Sequence, residues 1–248
     1  MTSNWQSAPG RRALLIAHRG AAHVAPENTL PAIVSALEAG ADVIEVDVQR
    51  TNDGVLVLVH DDNWRRTTGT DADVRELDWN RVRRLDAGSW FAATYRGVSP
   101  PRLDDVLDAV RGRAALDIEI KSPQRDAGLA SAVVACVRAH AMQQSVLLTS
   151  FDHACIDAIA QTKPDIALGY IAEHAVARAH EHVAYYAYEA RMLLRNPTAV
   201  DAARRRGGQV LAWTVDDARA ADELMALGVA GIVTNRPADM APILALER

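Results

Sequence analysis

Short apolar runs alternate along the chain with longer amphipathic stretches, the pattern of parallel strands joined by crossover helices. The runs predict strands over 13–18, 42–48, 114–121, 146–150, 166–171, 184–188, 209–214 and 231–234. Helical periodicity covers 29–39, 103–111, 126–141, 153–161, 174–182, 198–206, 216–227 and 237–246. Gly40, Gly207 and Gly228 close helical runs, and Thr198 and Asp216 stand where N-caps are expected. Eight strands alternating with helices predict an α/β fold, the TIM (β/α)8 barrel. A doubly wound sheet is the alternative, but it would more often carry a glycine-rich phosphate loop after the first strand, and none is present.

Residues 55–60 break the alternation. Only Thr51-Asn52-Asp53-Gly54 separates this apolar run from the second strand, too little chain for a parallel crossover, and Asp-Gly favours a tight hairpin. A two-residue turn at Asp53-Gly54 pairs Asn52 with Val55 and sets Asp47 opposite His60; a longer turn would shift that register. Residues from 61 to about 102 carry no barrel strand. They hold Trp64, Trp79, Trp90, Phe91, many arginines and a short helix near 73–85, and are expected to form a lid or substrate-binding cap. The whole of 1–248 then reads as one domain with an insertion at about 61–102.

Two of the strands carry charge where a buried strand should be apolar. Asp42-Val43-Ile44-Glu45-Val46-Asp47-Val48 places carboxylates at 45 and 47, and Ala115-Leu116-Asp117-Ile118-Glu119-Ile120-Lys121 places charges at 117, 119 and 121. Side chains alternate along a strand, so each set shares one face. An unpaired buried carboxylate costs several kcal/mol, so two such rows imply a cation or a substrate site. On these strand boundaries His18, Glu45, Asp47, Glu119, Lys121 and Trp213 all fall at or near the C-terminal rim, where barrels of this kind carry their active sites. Glu45, Asp47 and Glu119 are hard oxygen ligands suited to one divalent cation, Mg2+ or Ca2+. The alternative pairs these acids with Arg19 and Lys121 in salt bridges with no metal.

At 248 residues, with 49% hydrophobic and 24% charged residues, the composition is that of a globular domain with material for a full core. A net charge of −5 argues against a nucleic-acid surface. Cys136 and Cys155 lie in helix-like segments without metal-type spacing and read as buried free thiols of a reducing compartment. Absence of a Cys/His cluster argues against structural zinc. No signal peptide or run of ~20 apolar residues stands out, so the expectation is a cytoplasmic protein without stable membrane association.

In order, the chain also reads His18-Arg19-Gly20, Pro26-Glu27-Asn28-Thr29, Glu45-x-Asp47, Thr51-x-Asp53-Gly54, His60-Asp61 and Glu119-Ile120-Lys121. This ordered set resembles the glycerophosphodiester phosphodiesterase family. The resemblance extends through Gly88-Ser89-Trp90-Phe91, Ser150-Phe151, Trp213-Thr214-Val215 and Gly231-Ile232-Val233-Thr234, so it covers nearly the whole chain. It implies hydrolysis of a small-molecule glycerophosphodiester to an alcohol and glycerol 3-phosphate, with a divalent cation at Glu45, Asp47 and Glu119. It further implies His18 as general base and His60 as general acid, a division of labour that suits two imidazoles near neutral pKa. Arg19 and Lys121 would supply positive charge to the phosphate oxygens.

By the same resemblance Glu27 and Asn28 help line the site, although Asn28 or Thr29 could simply cap the first helix. Trp213 could pack beneath the glycerol, and Asp117 could orient Lys121. Trp64, Trp79 and Trp90 are assigned to the core of the insertion, and His23, His140, His153, His174, His180 and His182 to surface or helix positions. Asp216 stands where the family commonly has Asn, and 172–200 contains no matching motif. A lysophospholipase D is the nearest alternative, needing an apolar trough from Trp90, Phe91 and Tyr95 or from Tyr170, Tyr186 and Tyr188. A non-catalytic phosphate-ligand binding protein is the more distant one. Monomer and homodimer both remain open.

Overall fold

A computed structural model describes residues 5, 8, 10–162, 165–174 and 182–245. Each of the eight apolar runs forms a strand: β1 (Leu14–Ala17), β2 (Val43–Arg50), β4 (Ala115–Ile120), β5 (Val146–Ser150), β6 (Ala167–Ala172), β7 (Tyr185–Glu189), β8 (Gln209–Trp213) and β9 (Gly231–Thr234), with β3 (Leu56–Leu58) as the returning hairpin strand. The eight pair in parallel in the order β1-β9-β8-β7-β6-β5-β4-β2, and β1 pairs with β2 to close the barrel. β3 runs antiparallel on β2. The helices are α1 (Leu30–Glu38), α2 (Arg65–Thr68), α3 (Trp79–Val82), α4 (Leu103–Val110), α5 (Leu129–Ala139), α6 (His153–Gln161), α7 (Ala190–Arg195), α8 (Thr198–Arg205), α9 (Ala218–Leu227) and α10 (Pro237–Leu244). The helix expected over 174–182 falls, apart from its two end residues, outside the described residues. Among the described residues no helix is long and apolar enough to cross a membrane.

Strand alternation divides the apolar residues into two cores. One face of each strand, including Ile44, Val46, Val48, Leu116, Ile118 and Ile120, packs outward under the helices. The other fills the lumen with a smaller cluster, including Leu14, Ile16, Val43, Ala115, Leu147 and Leu211, closed below by Trp5 against the Tyr185 ring at 5.2 Å. Tyr170, Tyr186 and Tyr188 are buried in the outer core, so they cannot form the apolar trough considered for them at the mouth.

The hairpin register is one residue away from the expected one. Val48 pairs with Leu58 and Arg50 with Leu56, so Asp47 faces Val59, whose N–H donates to the Asp47 carbonyl at 3.1 Å. The reason lies in Thr51. Its N–H donates to the Val55 carbonyl and its hydroxyl accepts from the Val55 N–H, leaving a three-residue loop that ends on Gly54 at φ +88°. His60 therefore leaves the ladder instead of ending it. Gln49 holds the departing chain, its Nε2 donating to the carbonyl oxygens of Asp61 and Val59.

The segment 61–102 packs on that hairpin. Trp64, Val74, Leu77 and Val82 form a small core with Val57 and Val59. The helix expected near 73–85 is split into a 3-10 turn at Val74–Glu76 and α3, because Asp73 and Asp78 each cap a new start. Trp90 does not join this core. It is 43% exposed, and its ring lies edge-on to Phe91. Two cap assignments also shift by one residue. Asp217 caps α9 through the Ala220 N–H, and Thr198 is the first helical residue of α8.

Candidate active site

Neighbouring strands β2 and β4 set Glu45 beside Asp117 and Asp47 beside Glu119. All four carboxylates share the lumen face with Val43 and Ala115 and are buried above them, Asp47 completely. Glu45, Asp47 and Glu119 each offer an oxygen, all within 4.8 Å of one another. Burial, with Asp47 and Glu119 close by, holds the Glu45 carboxyl well above its usual range. Burial and Asp47 push Glu119 up to about 7, and burial pushes Asp117 to about 7 despite a 2.7 Å bond from the Thr149 hydroxyl. Asp47 is lowered: burial opposes ionisation there, but Arg19 and Lys121 outweigh it.

The bases do not exhaust this charge. Lys121 donates to Glu119 at 2.7 Å and stands 3.7 Å from Asp47 Oδ1, an oxygen that is buried without a hydrogen bond. Arg19 Nε lies 3.1 Å from Asp47 Oδ2, and its Nη1 donates to Glu27 at 2.8 Å. Two cations among four buried acids, with one orphaned carboxylate oxygen, fit a divalent ion bound by Glu45, Asp47 and Glu119. Asp117 bonds Thr149, so it does not orient Lys121 as expected.

The backbone bends sharply to deliver these groups. Arg19 has φ +55° and Asn28 φ +54°, conformations costly for a side-chain-bearing residue. At Arg19 the bend lets the backbone N–H donate to Glu45 Oε2 at 2.8 Å while the side chain turns towards Asp47. Asn28 caps nothing. Its amide clamps Asp47, Nδ2 donating to Oδ2 at 2.8 Å and Oδ1 accepting the Asp47 N–H at 3.1 Å. Thr29 spends its hydroxyl on the Pro26 carbonyl. Gly20 has no alternative, since a Cβ there would meet the Ala32 carbonyl carbon at 2.7 Å.

His18 ends β1 with Nδ1 2.8 Å from Asn235 Oδ1 and Nε2 4.0 Å from Glu45 Oε2. Burial and the Arg19 charge lower its pKa, favouring neutral imidazole. His60 Nδ1 lies 2.8 Å from Asp61 Oδ1. Arg66 of the insertion holds both Asp61, Nε to Oδ2 at 2.7 Å, and Glu27, two bonds of 2.8 Å. Its hydrogen bonds contribute to an Asp61 pKa of about 2, although partial burial acts the other way.

His18, His60, Glu45, Glu119, Phe151 and Trp213 all line one cavity of about 150 Å³ at the barrel mouth. The Phe151 and Trp213 rings meet edge-on at 5.5 Å, and Trp213 Nε1 is spent on the Ala187 carbonyl, so these rings offer an apolar wall. Glu27 and Asn28 lie behind Arg19 and Asp47 and hold them by hydrogen bonds. Sequence reasoning missed Asn235 and Arg66. Asn235 directly follows β9, a rim position where barrel sites are expected. Arg66 stands among several arginines of the insertion and carries no comparable signal.

The glycerophosphoryl diester phosphodiesterase family model matches residues 18–239. A glycerophosphodiester phosphodiesterase of Caldanaerobacter subterraneus subsp. tengcongensis is 31% identical over 231 residues, covering 91% of this chain and 95% of that protein. The fold is similar to that of a glycerophosphodiester phosphodiesterase from Agrobacterium tumefaciens, with a TM-score of 0.80, 30% identity, and 93% and 99% of the two chains covered. It is also similar to an Oleispira antarctica phosphodiesterase solved with the product sn-glycerol-3-phosphate, with a TM-score of 0.85, 27% identity, and 92% and 95% covered. With the acidic barrel mouth and the ordered motifs, these matches show that the chain belongs to the glycerophosphoryl diester phosphodiesterase family and is an enzyme of that class.

Proposed function

We propose that this chain hydrolyses glycerophosphodiesters to glycerol 3-phosphate and an alcohol, with His18 as base, His60 as acid and a divalent cation, Mg2+ or Ca2+, at Glu45, Asp47 and Glu119. The observation that carries the reading is the convergence of His18, His60, Glu45 and Glu119 on one cavity, with a buried Asp47 oxygen within 4.8 Å of both carboxylates. When bound, the cation would supply positive charge for the phosphate oxygens. The product named for the Oleispira relative supports the choice of diester.

His18, neutral and held through Nδ1, has Nε2 available to take the proton of the attacking oxygen, either the glycerol 2-hydroxyl or a water. As the bond from phosphorus to the departing alcohol breaks, His60 gives that oxygen a proton. The Asp61 carboxylate, 2.8 Å from His60 Nδ1, orients the ring for this transfer. If the 2-hydroxyl attacks first, water opens the resulting cyclic phosphate, and the net consumption is one water per diester. Arg19 at this cavity and Lys121 on Glu119 hold charge near the phosphate, and Trp213 with Phe151 walls the glycerol. In this reading 1–248 acts as one barrel domain, the segment 61–102 steadies the site from the side, and the free thiols of Cys136 and Cys155 suit a cytoplasmic setting.

The test is release of glycerol 3-phosphate from glycerophosphocholine and glycerophosphoethanolamine, with EDTA and with Mg2+ or Ca2+ restored. Release that stops with EDTA and returns with one ion supports the reading and names the metal. Cleavage confined to lysolipids would move it to a lysophospholipase D, for which Phe151, 45% exposed, offers apolar surface. Release indifferent to EDTA would overturn the metal.

A further inference from the structure

We propose that Asp104, Cys136 and His140 form a second metal site, for a thiophilic divalent cation such as zinc, on the helical outer face of the barrel. Asp104 lies on α4 with Asp108 one turn on, and Cys136 lies on α5 with His140 one turn on, just past the helix end. Residues four apart share a helix face, so two ligand pairs meet where α4 packs on α5. Cys136 and His140 stand four apart in the sequence, which alone is not a metal pattern; the facing Asp104, from a distant segment, completes the set.

The distances are those of a ligand shell. Cys136 Sγ is 3.9 Å from Asp104 Oδ1, and His140 Nε2 is 3.7 Å from Asp104 Oδ1 and 3.9 Å from Asp108 Oδ1. Asp104, Cys136 and His140 each offer a ligand atom, all within 4.8 Å of one another. A tetrahedral zinc with bonds of ~2.0 Å to N and O and ~2.3 Å to S spaces its ligand atoms roughly 3.3–3.5 Å apart. The sulfur stands 3.9 Å from His140 Nδ1, so closing on an ion requires the Cys136 side chain to rotate towards Nε2.

The imidazole is oriented for this role. His140 Nδ1 lies 2.9 Å from the Cys136 carbonyl, which can only accept, so Nδ1 carries the hydrogen. In the neutral ring Nε2 then presents its lone pair to two carboxylates at distances too long for hydrogen bonds. A metal ion between Nε2 and the two carboxylates, in place of a second ring proton, would satisfy all three. Metal-bound histidines are commonly fixed through the other ring nitrogen in this way. Arg111 draws Asp108 outward at 3.3 Å, which leaves the fourth position to Asp108 or a water.

Burial and the Asp104 charge push the Cys136 thiol up to about 12, so the metal-free protein keeps its proton. Binding exchanges it: the sulfur–metal bond forms and the proton leaves to solvent. The sulfur, nitrogen and oxygen set suits zinc or cobalt, whereas the all-oxygen cluster at the mouth suits Mg2+ or Ca2+. The two sites would therefore sort different ions, and the outer one would pin α4 to α5.

The test is titration of the full chain, freed of metal by EDTA and desalted, with Co2+. Thiolate ligation gives a sulfur-to-cobalt charge-transfer band that the mouth carboxylates cannot produce. The band should saturate at one equivalent in the wild type, in Glu45→Gln and in Cys155→Ser, which alters the other of the two cysteines. It should vanish in Cys136→Ser, and its apparent affinity should fall at least ~10-fold in His140→Gln and Asp104→Asn. Zn2+ should raise the melting temperature of the wild type above that of Cys136→Ser, with both unfolding cooperatively in EDTA. No band in the wild type, or a band that survives in Cys136→Ser, would overturn the site.

Discussion

His18 Nδ1 lies 2.8 Å from Asn235 Oδ1, and this contact decides which imidazole nitrogen is available at the cavity. Asp216 accepts from Asn235 Nδ2 at 2.7 Å, and also from the Asn235 N–H and the Thr234 hydroxyl. An ionised carboxylate only accepts, so the amide nitrogen must face Asp216 and the amide oxygen must face His18. His18 Nδ1 is therefore the donor, and Nε2 keeps its lone pair on the side of Glu45. Asp216 anchors the chain of bonds.

Removing that anchor should slow the reaction without weakening binding. Asn235→Ala should lower kcat by about 10- to 100-fold with KM nearly unchanged, within the range set by loss of an oriented acid or base. Asp216→Asn lets the Asn235 amide turn over and should lose less. Steady-state kinetics on a soluble glycerophosphodiester measures both. Wild-type kcat in Asn235→Ala would remove Asn235 from any positioning role.

Without metal, the fold should weaken as pH rises. Asp117 and Glu119 have folded pKa values of about 7, raised from ordinary values near 4. A raised pKa means that the folded state binds more protons between pH 4 and 7. The stability this supplies is complete below pH 4 and is lost as pH climbs through 7. In EDTA, melting at pH 8 should fall below melting at pH 5 by at least about 1 kcal/mol, roughly 2–4 °C at this chain length. A bound divalent cation needs Glu119 ionised, so the gap should narrow when it is added. Equal melting temperatures in EDTA at both pH values would contradict the crowding of these acids.

Glu45→Gln separates stability from activity. It replaces a carboxyl that burial and the neighbouring Asp47 and Glu119 hold well above its usual range by an amide that never has to be protonated, and it keeps the shape of the side chain. Metal-free Glu45→Gln should melt above metal-free wild type at pH 8, while cleavage falls ~10²-fold or more. Calorimetry in EDTA and a cleavage assay with metal report the two effects. A variant destabilised in EDTA would mean that Glu45 is held by its partners and not strained by them.

How legible was this arrangement in the chain itself? Strand alternation in Asp42 to Val48 and Ala115 to Lys121 was enough to place Glu45, Asp47 and Glu119 on one face, because a period of two leaves no choice. His60 was legible as a residue but not in position. A single extra residue in the Thr51 loop moved it off the ladder, and turn length is a matter of side-chain hydrogen bonds that hydropathy does not register. The partners of the histidines divide similarly. Asp61 adjoins His60, whereas Asn235 reaches His18 only through closure of β9 onto β1. Arg66 was illegible, since its meaning depends on where the insertion packs.

Arg66 is the sharpest test of what the insertion does. Its guanidinium grips Glu27 with two bonds and Asp61 with two more, and those acids in turn hold Arg19 and His60. One side chain from α2 thus ties the loop after β1 to the end of the hairpin. It is 41% exposed, so water screens the pairs and their contribution to stability should stay within about 1 kcal/mol. Position should suffer more than stability, because Asp61 without Arg66 can swing with His60. Arg66→Ala should lower kcat about 10-fold while its unfolding midpoint stays near wild type. Arg66→Lys restores the charge but not the planar fork, so it should recover only part of the loss. Full recovery by lysine would mean that charge alone matters, and wild-type kcat in the alanine variant would mean that the insertion steadies nothing at the mouth.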